Sequence, residues 1–230
     1  MKIITYATHA EGTFDTLVNS GHDIKVLGFG TKWSGFMGKA TSVLNYLETQ
    51  REDEIVVVID GFDTIINRNM DGLEEKFINM NCKVLYSNNI NFGTLLLPDF
   101  MSSYINNKVF GTCKNNQTLN AGLYMGYCKE LKIVLKAILS TDMDDDQKAV
   151  NSLCSQFPFL KIDTENIIFE NSASRNIISK SYFIGLPGTL TFNRVIRAIP
   201  EYSKYFIPEI LFLLCILIFV IYNVSTRCRL

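Results

Sequence analysis

The sequence predicts an α/β fold, a largely parallel central sheet flanked by helices, followed by a C-terminal membrane helix. Three observations predict it. Short β-branched runs alternate with segments of helical spacing along most of the chain, the pattern of strands joined by crossover helices. The run Glu54 to Asp60, EIVVVID, is apolar without alternation, as a strand buried on both faces must be. From Ile210 to Tyr222 the chain is unbroken apolar. At 230 residues and 47% hydrophobic, it is long enough to bury one substantial core.

In order, Lys2 to Tyr6 reads as a strand, and a polar loop at Thr8 to Gly12 leads into a helical stretch from Thr13 to Asn19. Asp23 to Gly28 is a second strand, which runs into the Gly-containing loop FGTKWSGFMG. Lys39 to Thr49 has helical spacing through Val43, Leu44 and Leu47, and the central strand Glu54 to Asp60 follows. Asp71 to Asn79 reads as a helix and Lys83 to Ser87 as a strand. Asn88 to Thr118 shows little periodicity and reads as irregular, before a strand at Leu119 to Tyr127 and a helix at Glu130 to Leu139. Another helix starts within the acidic run Asp142 to Asp146, because carboxylates favour a helix N-terminus, and extends to Cys154. Short strands are expected at Phe159 to Asp163, Ile167 to Glu170 and Tyr182 to Ile184. The domain organisation is a globular domain over 1–198, a linker at 199–206, a transmembrane anchor at 207–224 and a short basic tail at 225–230.

Composition excludes some partners. The formal net charge of -1 leaves no basic excess to displace counterions from phosphates, so nucleic acid is not an expected partner. The six cysteines form neither a CxxC pair nor a regular framework, and read as free, mostly buried thiols. The N-terminus meets His9 and Glu11 soon after its apolar run, unlike a secretory signal, so the globular part is expected on the cytosolic side. The C-terminal apolar segment reads as a membrane anchor or as a buried core helix. The short basic tail after it, and Tyr202, Tyr205 and Phe206 before it, favour the anchor.

The sharpest chemical motif is VVVIDGFDT, a buried strand that ends in Asp60 and Asp63. Ligands of open α/β sheets sit beyond the carboxyl ends of strands, and two carboxylates at such a tip can hold a divalent cation that neutralises a diphosphate. Asp and Gly are also ordinary strand-end turn residues. Trp33, the only tryptophan, and Lys39 lie in a loop that can offer a nucleotide a flat apolar surface and a cation, though the phosphate-loop pattern is absent. Asn120 stands in LNAGLYMG beside small residues that permit close approach of a sugar, or in a simple turn. The run DMDDDQ is a solvated helix start or a cluster that binds hydroxyls, cations or a basic acceptor.

The ordered series VLGFGTKW, GK, VVVIDGFDTI, LNAGLYMGY, DDDQ and GLPGT resembles the N-terminal glycosyltransferase domain of procollagen lysyl hydroxylases and their collagen glycosyltransferase relatives, over about residues 1–195. The resemblance implies a Rossmann-like type A glycosyltransferase fold, a uridine diphosphate sugar donor (glucose or galactose), a protein or glycan acceptor, and manganese. It implies that Asp60 and Asp63 hold the metal. Phe62 lies against uracil, Trp33 and Lys39 surround the donor, and Tyr6 and Thr8 receive the uridine. Asn120 falls in the donor segment, and Asp144, Asp145 and Asp146 match the acidic run near sugar and acceptor, the candidates for acceptor orientation or base catalysis. The family's dioxygenase domains are absent, so lysyl hydroxylation is not expected. One departure matters: Ile184 stands where the family's metal-binding His is expected, and Leu190 where a Lys is expected. His9 lies near the nucleotide end but outside that motif. Loss of the imidazole weakens the expected metal site and favours a rival reading, a catalytically inactive membrane-tethered binding module.

Overall fold

The computed structural model describes residues 1–89, 99–172, 178–187, 200 and 203–227. The chain divides into two units, Met1–Thr189 and Leu190–Leu230. The expected domain end at residue 198 lies outside the described residues.

The first unit is built on a six-stranded sheet in the order β2-β1-β3-β6-β5-β7. Its strands are β1 (Lys2–Tyr6), β2 (Ile24–Leu27), β3 (Ile55–Asp60), β5 (Val84–Asn88), β6 (Leu119–Tyr127) and β7 (Leu160–Asp163). β6 alone runs antiparallel, pairing with β3 on one side and β5 on the other. This places the C-terminal ends of the other five strands and the start of β6 along one edge of the sheet. A second sheet, in the order β4-β9-β8, joins Thr64–Ile66, Phe169–Asn171 (β8) and Phe183–Gly185 (β9). The strand at Thr64–Ile66 (β4) was not expected, since three residues carry no readable alternation.

Alternation in β3 sends side chains to two cores. Val56 and Val58 join Val43 and Leu47 of α2 (Phe36–Glu48), Leu131, Val134 and Leu135 of α5 (Cys128–Leu139), and Ala149 and Val150 of α6 (Asp146–Leu153). Ile55, Val57 and Ile59 instead join Leu17 of α1 (Phe14–Val18), Leu73 and Phe77 of α3 (Leu73–Asn79), and Phe169 and Phe183 of the small sheet. A strand buried on both faces needs apolar residues at every position, which accounts for the unbroken IVVVI.

Within 88–118, expected to be irregular, residues Asp99–Phe110 form a helix, α4. Its sequence hides it, because the buried positions include Asn106 while Phe100 and Tyr104 are exposed. The thiol expectation is corrected as well. Cys113 and Cys154 form a disulfide across 41 residues of sequence, whereas Cys82 and Cys128 are buried free thiols and Cys215 is an exposed one. Cys113 precedes β6 and Cys154 ends α6, so folding brings them together although no local spacing does.

In the second unit, Ile207–Arg227 form one helix, α7. With the 3-10 turn Lys204–Phe206 before it, the stretch Lys204–Ile221 has a mean hydropathy of 2.4, and this is the one helical stretch among the described residues long and apolar enough to cross a membrane.

Candidate active site

The carboxyl edge of the sheet gathers the residues singled out from the sequence. At its centre, the ammonium of Lys39, from the first turns of α2, donates to Asp60 Oδ1 at 3.4 Å and to the Ala121 carbonyl at 3.2 Å. It also lies 3.0 Å from Asp146 Oδ2. The side chains of Lys39 and Asp146 are 8% and 9% exposed and that of Asp60 is 38% exposed, so Asp60 alone of the three keeps an open face. Burial opposes the charge on Lys39, but Asp146 and then Asp60 outweigh it and hold the ammonium above its ordinary value. Burial pushes the Asp146 carboxyl up to about 6, against the pull of Lys39.

Gly122 makes this cluster possible. A Cβ there would stand 2.6 Å from Asp60 Oδ2 and 2.8 Å from Asn120 Oδ1, so any larger residue would displace the carboxylate. Asn120 Oδ1 instead accepts from the Gly122 amide at 2.8 Å.

The acidic run is divided among three environments. Asp146 is buried on Lys39 and Asp144 is exposed, while Asp145 Oδ1 accepts from the Lys148 amide at 2.8 Å and caps α6. The turn after β3 buries Asp63, whose carbonyl accepts from the Leu186 amide at 2.7 Å. Phe62 between them has its ring 5.1 Å from that of His9. At the end of β1, the Tyr6 ring lies 5.7 Å from Trp33, and Trp33 lies edge-on to Phe36 at 5.6 Å. Thr8 is buried with its hydroxyl 3.0 Å from His9 Nδ1, and Trp33 is 44% exposed, so the aromatic surface stays accessible.

Two buried amides of α6 were not singled out from the sequence. Gln147 Oε1 accepts from the Ala121 amide at 3.3 Å, while Asn151 accepts from the Leu119 amide at 2.9 Å and donates to its carbonyl at 3.1 Å. These α6 amides pair with the first residues of β6, which extend past the ladder to β3. Gln147 Nε2 is buried and has no hydrogen-bond partner among the described residues. The DDDQ motif contained the glutamine, but only the topology shows which backbone it meets.

The manganese expectation can be tested on the donor set. Asp60 and Asp63 are hard oxygen ligands, suited to a cation that takes further oxygens from a phosphate. No group of three His, Cys, Asp or Glu side chains able to hold a metal is found among the described residues. Ile184 is buried in β9 opposite Ile65, and no imidazole replaces it there. Leu190 lies outside the described residues. Two carboxylates alone would leave most of a cation's coordination positions to oxygens from elsewhere, such as a phosphate.

Comparison with known proteins agrees with this architecture. A glycosyltransferase involved in the glycosylation of the major capsid of PBCV-1 has the same fold at 12% identity, covering 84% of this chain and 95% of that chain with a TM-score of 0.54. The galactosyltransferase LgtC, solved with donor and acceptor sugar analogues, aligns at 11% identity over 82% of this chain and 87% of that one, with a TM-score of 0.46. No curated protein sequence matches significantly. The fold is thus a mixed α/β glycosyltransferase fold of type A, and residues 1–174 of the 230 match the family model described as the PLOD GT domain, so the chain belongs to that glycosyltransferase domain family.

Proposed function

We propose that the chain transfers a hexose, glucose or galactose, from a uridine diphosphate sugar to an acceptor hydroxyl. The family match supports the transferase class. The observation that carries the finer reading is the buried Lys39, clamped between Asp60 and Asp146 beside an accessible aromatic surface. Tyr6, Thr8, Trp33 and Phe62 receive the uridine, and Lys39 and Asn120 orient the sugar end. Of the acidic run, Asp146 is the carboxylate that reaches the cluster, and we assign it the positioning of Lys39. Asp60 and Asp63 would hold a divalent cation such as manganese, which when bound neutralises the diphosphate and stabilises it as a leaving group.

The loss of the imidazole at Ile184 favours a second reading, an inactive module that keeps the fold as a binding surface. One experiment separates the two. The protein is incubated with manganese and a panel of nucleotide sugars, and release of nucleoside diphosphate is measured. Release from a uridine diphosphate hexose, abolished by Asp60→Asn, supports the enzyme. Calorimetric binding of uridine diphosphate without any release supports the module.

We also propose that α7 anchors the protein in a membrane. The disulfide Cys113–Cys154 favours an oxidising compartment over the expected cytosolic placement of the globular unit, because such bonds persist there. We therefore place that unit on an oxidising side.

A further inference from the structure

Beside the turn after β3 stands His9, an exposed side chain with no role in the cluster around Lys39. Its side chain is 60% exposed, yet both ring nitrogens are engaged. Nε2 donates to Glu11 Oε2 at 3.2 Å, and Nδ1 shares a hydrogen bond with the Thr8 hydroxyl at 3.0 Å. Hydrogen bonds at an exposed ring compete with water and add little to the fold, so what they fix is the orientation of the imidazole. The ring stands 5.1 Å from that of Phe62, tilted by 44°. The backbone sets that spacing. The Thr13 amide donates to the Phe62 carbonyl at 2.9 Å, and the Thr13 hydroxyl donates to the Thr64 carbonyl at 2.9 Å. Gly12, at φ +62°, packs so closely that a Cβ there would run into the Phe62 carbonyl oxygen. The loop after β1 and the turn after β3 are thus locked together and present the two rings side by side.

From this geometry we infer that His9 is a further donor-binding residue, which forms with Phe62 the surface on which the uracil ring lies. This rests on the proposal that the donor is a uridine diphosphate sugar. A pyrimidine is flat and unsaturated, and stacking on a side-chain ring is worth about 1–3 kcal/mol per base. Two tilted rings let a planar group lie on one and meet the edge of the other, the arrangements that aromatic groups favour. A ring already held in place loses little rotamer freedom when the base arrives. The same bonds exclude His9 as a substitute for the imidazole missing at Ile184. In the neutral ring the one lone pair, at Nδ1, takes the Thr8 hydroxyl proton, and a protonated ring has no lone pair at all. In neither state is a nitrogen open to a cation while Thr8 and Glu11 hold it. His9 therefore offers its ring, not a bond to a metal. Trp33, 5.7 Å from Tyr6, is the competing platform for the base.

The test uses full-length protein in detergent micelles and calorimetry with two probes, uridine monophosphate without metal for the base and pyrophosphate with manganese for the cation site. In His9→Ala, uridine monophosphate should bind about tenfold more weakly, while pyrophosphate with manganese binds as it does to the native protein. His9→Phe, which keeps a flat ring but no nitrogen, should retain most of the native affinity for uridine monophosphate. Thermal melts confirm that both variants are folded. Unchanged affinity for uridine monophosphate in folded His9→Ala would overturn the inference, the more so if Trp33→Ala lowers it. Loss of pyrophosphate binding in His9→Ala would make His9 a cation ligand and overturn it too, as would a His9→Phe variant as weak as His9→Ala. Release of uridine diphosphate from a uridine diphosphate hexose is scored separately. Release together with unchanged binding in His9→Ala keeps the enzyme and removes the role of His9; a native protein that binds no uridine nucleotide removes the uridine donor and the inference with it.

Discussion

The chemistry of the site turns on how Lys39 is held. Removing one member of a buried ion pair strands the other, which typically costs about 3–5 kcal/mol, so Lys39→Met should destabilise the fold by roughly that amount. Adding Asp146→Leu to it should restore part of the loss, and denaturant melts of the single and double variants measure the coupling. Strict additivity would mean the two charges do not meet. Asp146 also sets a pH dependence. Its carboxyl is raised from an ordinary value of 3.8 to about 6, so the folded state holds its proton more tightly than the unfolded chain does. That contribution is full below the ordinary value and is lost as pH rises through about 6. The stability of the native sequence relative to Asp146→Asn should therefore fall, on the order of 1–3 kcal/mol, between pH 4 and pH 7. Melts of the two proteins across that range are the check. A constant difference would show that Asp146 titrates as an ordinary carboxylate. The sequence pointed to Asp60, Lys39 and the acidic run, because strand ends and helix starts can be read locally. It did not show that Asp146 faces inward while Asp145 caps the helix, since that depends on the phase of α6 against β6.

At the scale of elements, α6 is fastened at both ends. Its N-terminal turn is tied to α2 through Asp146 and Lys39, its middle to β6 through Gln147 and Asn151, and its far end to the segment before β6 through Cys113–Cys154. The disulfide closes a loop with a sequence separation of 41, which restrains the unfolded chain most where loops are long. Cys113→Ser with Cys154→Ser should cost about 2–4 kcal/mol, and the reduced native protein should melt at the same temperature as the double variant. A double variant as stable as the oxidised protein would mean that the bond contributes nothing to the fold. The strands at β1, β2, β3, β5, β6 and β7 were legible because each is a compact apolar run, and α2, α3 and α5 because their spacing is regular. What stayed hidden has physical causes. α4 buries an asparagine and exposes a phenylalanine, β4 is three residues long, and a disulfide between distant cysteines leaves no local mark.

For the whole molecule, the proposed anchor raises two questions: whether α7 holds the protein in a membrane, and on which side the globular unit then lies. α7 presents about one bilayer's length of apolar helix without an internal charge between Glu209 and Arg227. A helix of that composition does not leave a bilayer when peripheral contacts are stripped. Full-length protein should therefore stay in the membrane pellet after carbonate extraction, whereas a chain ending at residue 203 should be released; release of the full-length form would remove the anchor. The cysteines then report the side. Cys82 and Cys128 are buried free thiols, which become reactive on denaturation whatever the compartment, and serve as the internal standard. If the unit faces an oxidising compartment, cells quenched with acid should yield protein whose Cys113 and Cys154 resist a maleimide label under denaturing conditions until a reductant is added. Labelling of both without reductant would put the unit in a reducing compartment and restore the cytosolic placement. With the proposed anchor in place, the proposed acceptor would then have to be reached from that side.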